Sequence, residues 1–102
     1  MVIYEVNAAV DEDVAPAYEA WLHGHIRQML AFDGFVRASV FTPDSGAPGR
    51  RHFTVHYHVS DRTHLDDYLR RHAAAMRADG INRFGDRFAT DRRILSEIAA
   101  FE

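Results

Sequence analysis

The period of the apolar positions switches between two residues and about 3.6 residues along the chain, and that succession limits the fold more than any single motif. Val2, Tyr4, Val6, Ala8 and Val10 alternate with Ile3, Glu5, Asn7 and Ala9, the pattern of a strand with one apolar face. The stripe Val14, Tyr18, Trp21, Leu22, His25, Met29 and Leu30 then has helical spacing. Asp11 or Asp13 is placed to cap this helix, with Pro16 in its first turn. Glu19, His23 and Arg27 form an i, i+4 ladder on its outer side, and Asp33-Gly34 closes it. Phe35 to Phe41 reads as a second strand, with Val36, Ala38 and Val40 opposed to Phe35, Arg37, Ser39 and Phe41.

The segment TPDSGAPGRR, Thr42 to Arg51, is a turn region closing a long hairpin. A third strand, His52 to Val59, sets Phe53, Val55, Tyr57 and Val59 against His52, Thr54, His56 and His58. Ser60 or Thr63 is positioned to open a second helix with the stripe Leu65, Tyr68, Leu69, His72, Ala73 and Met76. Asp66–Arg70 and Asp67–Arg71 are i, i+4 pairs on its outside, and Gly80 suits its C-terminal end. A short helical segment with Phe84 and Phe88 and a fourth strand near Arg92 to Ile98 complete the chain.

The order is β-α-β-β-α-β over residues 1–102, one domain of the α+β class. It predicts a ferredoxin-like fold: a four-stranded antiparallel sheet with two helices on one face. The uncovered face would carry Glu5, Asn7, Arg37, His56 and His58 among Ile3, Phe35 and Phe41, a mixed patch that calls for a partner. A homodimer through the sheet face is therefore expected.

Charge and composition narrow the function classes. The net charge is −3 and all twelve basic residues are arginine, so nucleic-acid binding is not expected. No apolar run approaches the ~20 residues of a membrane span, and the first residues have no basic or apolar leader, which predicts a cytoplasmic protein. The chain has no cysteine, which excludes disulfides and thiolate chemistry. No phosphate loop, nucleotide fingerprint or Ser-His-Asp arrangement is present.

Three groups of residues have chemical potential. His25 and His72 lie on the apolar stripes of the two helices. Antiparallel packing of the helices would let Trp21, His25 and His72 converge over Tyr4 and Tyr57, forming an apolar pocket for a small apolar or aromatic ligand. A histidine there would serve as a general base. The alternative is a non-catalytic structural or regulatory homodimer whose histidines only pack. His56 and His58, with Glu5 beside them if the first and third strands pair, have ligand chemistry for zinc, but a polar interface is the preferred reading and no metal is expected. Arg83, Arg87, Arg92 and Arg93 could receive a carboxylate or phosphate bidentately, but Asp79, Asp86 and Asp91 are interleaved with them, and ion pairing or a solvated surface is the preferred reading.

The WLHGHIRQML and HLDDYLRRHAAAMRADG helices and the RFGDRF…RRIL ending resemble a family of small uncharacterised bacterial domains in the dimeric α+β-barrel superfamily. That superfamily includes cofactor-free antibiotic-biosynthesis-type monooxygenases and haem-degrading enzymes. The resemblance implies a dimeric α+β barrel made by packing sheet on sheet. It implies no activity of its own; a cofactor-free, monooxygenase-like enzyme with a helix–sheet pocket is one expectation, beside the non-catalytic homodimer. Haem-degrading members use an Asn on the first strand, a Trp and a helix-borne His. Of these only His72 matches by element and place, since Asn7 has the wrong strand parity and Trp21 lies in a different element.

Overall fold

Alternation and tertiary pairing agree on the sheet. The computed structural model describes residues 1–44 and 46–102; Ser45, in the loop-rich TPDSGAPGRR segment, lies outside the described residues. The strands are β1 (Val2–Asp11), β2 (Phe35–Phe41), β3 (Arg50–Val59) and β4 (Phe88–Ser96). They form one antiparallel sheet in the order β2-β3-β1-β4. The helices are α1 (Ala15–Met29), α2 (Arg62–Arg71) and α3 (Ala73–Phe84), with 3-10 turns at Glu12–Val14 and Gly85–Arg87. This is the ferredoxin-like arrangement, with the second helix divided in two.

The core lies between the sheet and the helices. Val2, Tyr4, Ala8 and Val10 of β1 and Phe53, Val55, Tyr57 and Val59 of β3 are buried on the helix side, as their alternation predicts. Tyr18, Leu22, Ile26 and Met29 of α1 and Leu65 and Tyr68 of α2 cover them. Removing this apolar surface from water, at about 25 cal/mol per Å², is the main force holding the two layers together.

Several local expectations change, each for a visible reason. Phe35 pairs with Val59 while Arg37 pairs with His58, so Val36 is an extra residue in a bulge. The bulge inverts the parity of β2. Phe35 turns under the helices against Tyr57 and Tyr68, and only Arg37, Ser39 and Phe41 stay on the open face. Asp11 and Asp13 do not cap the first helix, because both carboxylates bind Arg87. Asp61, not Ser60 or Thr63, caps α2: its Oδ1 accepts the His64 backbone N–H at 2.9 Å. The second stripe is interrupted at His72 (φ −127°, ψ −24°), although the His72 and Met76 N–H groups still bond to Tyr68 and His72 carbonyls. Gly80 is buried inside α3, and Gly85 at φ +57° ends that helix. β4 starts at Phe88, and Ile98 lies beyond it in solvent.

Candidate ligand cavity

α1, α2 and α3 bridge the sheet and leave a cavity of about 120 Å³ beneath them. The strands supply its floor, with Tyr4 and Tyr57 side by side at a ring separation of 6.0 Å. α1 places Trp21 and His25 at the edge of its buried stripe, four residues apart and so on one face. Their rings stack at 4.7 Å and 24°. The indole N–H donates to Asp79 Oδ2 at 2.8 Å, which fixes the ring plane. Gly80 lets α3 approach the indole, since a Cβ there would stand 2.9 Å from Trp21 Cη2.

His25 is the chemically distinctive group. Its Nδ1 is buried and has no hydrogen-bond partner among the described residues. Burial lowers its pKa below the ordinary 6.5; Asp79 opposes that shift and the positive charge of Arg92 adds to it. At neutral pH the imidazole is uncharged and one ring nitrogen is free to accept a proton. The tyrosines around it are the reverse case. Burial pushes Tyr18 up to about 12 and raises Tyr57 and Tyr68 as well, so these phenols stay protonated.

Tyr4, Tyr57, Trp21 and His25 thus line one cavity, and His72 does not join them. His72 sits in a separate recess with Phe32, His64, Asp67 and Arg71, its ring stacked on Phe32 at 4.6 Å. Tyr68 lines both spaces. The helix is interrupted at His72 itself, and although Tyr68 and Met76, one turn to either side, line the cavity, the His72 ring does not. A haem does not fit this arrangement. The space beside His25 is too small for the macrocycle, and the helix-borne His72 lies outside it.

Arg77 and Arg92 also line the cavity; the sequence reading overlooked Arg77 and placed Arg92 in a cluster expected to be ion-paired or solvated. Arg77 Nη2 donates to the Tyr4 hydroxyl at 2.9 Å, while its Nε is buried without a partner. Arg92 lies opposite Val6 on the helix side of the sheet and donates to Thr90 Oγ1 at 3.1 Å. The signal for Arg92 was the alternation Phe88, Thr90, Arg92, Ile94, hidden by starting the strand four residues too late. The other arginines near it behave as expected: Arg87 binds Asp11 and Asp13, Arg93 binds Glu5, and Arg83 approaches Asp79.

The open face of the sheet has its own polar network. Glu5, opposite His56, is buried there and accepts from Arg93, from Asn7 Nδ2 at 3.0 Å and shares a 2.8 Å contact with His56 Nε2. The Arg93 guanidinium leads the forces that bring its carboxyl down to about 2, against a burial penalty. His58 faces Ile3 and Arg37 instead of joining this pair. Among the described residues no three side chains are grouped to hold a metal ion, and no helix is long and apolar enough to cross a membrane.

Solved structures of the antibiotic-biosynthesis-monooxygenase type share this four-stranded ferredoxin-like fold. A candidate antibiotic biosynthesis monooxygenase from Deinococcus radiodurans superposes with a TM-score of 0.77 at 16% identity, over 100% of this chain and 97% of that one. SnoaB, a cofactor-independent oxygenase from Streptomyces nogalater, gives 0.68 at 10% identity, covering 97% and 95%. The heme-degrader MhuD from Mycobacterium tuberculosis, solved with two hemes in its active site, gives 0.65 at 15%, covering 98% and 99%. Residues 1–98 match the family described as a domain of unknown function, DUF4286, and the chain belongs to that family. No curated protein matches it.

Proposed function

We propose that this protein binds a small aromatic molecule in the helix–sheet cavity and acts on it as a cofactor-free, monooxygenase-like enzyme, working as a cytoplasmic homodimer. The observation that carries the reading is His25: a buried, neutral imidazole with an unsatisfied Nδ1, stacked on an indole at the wall of an apolar cavity. Such a group accepts a proton from an acidic phenol or from an enolisable CH2 group. The resulting anion is the electron donor. With dioxygen as oxidant, a CH2 becomes C=O: one oxygen atom ends on carbon and the other leaves as water with both hydrogens. Tyr4, Tyr57 and Trp21 orient the ring and keep water away from the anion. The likeness to SnoaB, whose description is that of a cofactor-independent oxygenase, supports this chemistry at the level of the fold.

The homodimer rests on the open sheet face. Phe41 stands half exposed there beside His56, and Ile3 and Leu95 are partly uncovered. Pairing two such faces would bury the ~1,200–2,000 Å² of a stable complex.

The test has two arms, binding and turnover. A panel of one- and two-ring phenols and enolisable ketones is screened by the emission of Trp21, the single tryptophan of the chain. Oxygen uptake is then followed against an autoxidation blank. Uptake should depend on the protein and fall at least about 100-fold in His25→Gln, the lower range for losing a general base. A panel that leaves Trp21 unperturbed, with no protein-dependent uptake, would overturn the reading in favour of a non-catalytic homodimer.

A further inference from the structure

Two positive charges line the apolar cavity with no carboxylate to answer them. Arg77 and Arg92 make no ion pair among the described residues, whereas Arg83, Arg87 and Arg93 all do. Arg92 occupies a core-facing position of β4, between Thr90 and Ile94, where an apolar residue would ordinarily stand. Among the described residues its only side-chain partner is the neutral Thr90 hydroxyl. Arg77 donates to the neutral Tyr4 hydroxyl and leaves Nε buried with no acceptor. A buried donor without an acceptor is rare in folded proteins and asks for an explanation. The acid at this end of the cavity, Asp79, is taken up by the Trp21 indole N–H and lies near Arg83.

The volume limits what can enter. About 120 Å³ is available, and a cavity of about 150 Å³ accommodates benzene. A space of this order takes a single small ring at most and excludes a fused polycycle.

We propose that the ligand of this cavity is a monocyclic aromatic anion, a benzoate- or phenolate-class molecule, whose charged oxygen is held by Arg77 and Arg92 while its ring packs on Tyr4, Tyr57 and Trp21. This rests on the reading of the cavity as a ligand site and adds the charge and size of what enters it. The guanidiniums supply N–H donors in planar forks, the geometry that carboxylates accept. They give the site a preference that its aromatic walls alone would not have. Both guanidiniums belong to the lining of this one cavity, together with Tyr4, Tyr57 and Trp21.

Isothermal titration with benzoate and with benzamide, its neutral isostere, decides the matter. Benzoate should bind the native protein at least about tenfold more tightly than benzamide, the range of a hydrogen bond to a charged group. In Arg92→Gln and in Arg77→Gln that preference should shrink toward unity while benzamide binding persists, which also shows that the variants are folded. Equal binding of the two ligands by the native protein would overturn the inference and leave the cavity as a ligand site. A preference undiminished in both variants would overturn the assignment to the two arginines. If neither ligand binds but a neutral phenol perturbs Trp21, the inference alone falls. If no aromatic perturbs Trp21, the functional reading falls with it.

Discussion

The same substitution made in two helices should change stability in opposite directions. Gly24 lies in α1 and Gly80 in α3, both inside helical segments. Replacing a helical glycine by alanine gains up to about 1 kcal/mol from backbone entropy and propensity. At Gly24 nothing lies within 4 Å of the new Cβ, so the gain should be realised. At Gly80 the Cβ would stand 2.9 Å from Trp21 Cη2, 3.3 Å from Cζ2 and 3.6 Å from Phe88 Cζ. The indole cannot easily retreat: its N–H is tied to Asp79, and Tyr18, His25 and Phe84 pack around it. Overpacking of this kind costs ~1–3 kcal/mol, which outweighs the propensity term and leaves Gly80→Ala destabilised by about 1 kcal/mol. For a domain of this size that is a fall of roughly 4–8 °C in melting temperature, against a rise for Gly24→Ala. Thermal unfolding followed by circular dichroism measures both, and Trp21 emission should shift only in Gly80→Ala. Equal stabilisation by the two substitutions would refute the placement of the indole against α3, and with it the shape of the cavity.

Three further outcomes follow from named groups. Trp21→Ala should cost roughly 3 kcal/mol or more, the usual penalty for emptying a large aromatic site, and a melting temperature unchanged within a degree or two would count against it. Glu5 titrates at about 2 in the folded protein against an ordinary 4.5, so its stabilising contribution is complete above about pH 4.5 and fades as pH falls toward 2. Urea unfolding of the native protein and Glu5→Gln should therefore converge across that interval; parallel pH profiles would contradict the Arg93–Glu5 pairing. Sedimentation at micromolar concentration should give a dimer of the 11.6 kDa chain, dissociated by Arg37→Glu with Phe41→Asp on the open face but not by Glu19→Ala on the outer face of α1. A clean monomer would remove the sheet-to-sheet interface.

How far the sequence could be read depended on whether local pattern or long-range pairing controls a feature. Alternation in β1 and β3 placed every core residue of the two central strands, because both faces of a central strand are defined by the pleat. It failed for Phe35, since one extra residue in β2 inverts parity and a bulge has no local signature in FVRASVF. Trp21, His25, Tyr4 and Tyr57 were legible as one cluster from helix and strand periods alone. The place of His72 was not, because its partner in the separate recess, Phe32, comes from the turn after α1, which no helical stripe reports. Asp11 and Asp13 looked like caps because they precede a helix. Their true partner, Arg87, is more than 70 residues away and is brought in only by the 3-10 turn before β4. Arg92 was grouped with its charged neighbours in sequence, although strand parity sends it to the opposite side of the sheet from Arg93.

The central claim is that His25, and not His72, faces the ligand. Nitrogen-15 spectra of the histidine rings test it directly, with and without benzoate. In the free protein His25 should titrate below the ordinary 6.5, since its folded environment resists the proton that an exposed imidazole would take up. On adding benzoate, the His25 ring nitrogens should shift while those of His72, stacked on Phe32 in its own recess, stay in place. A silent His25, or a response at His72 as large as that at His25, would contradict the account.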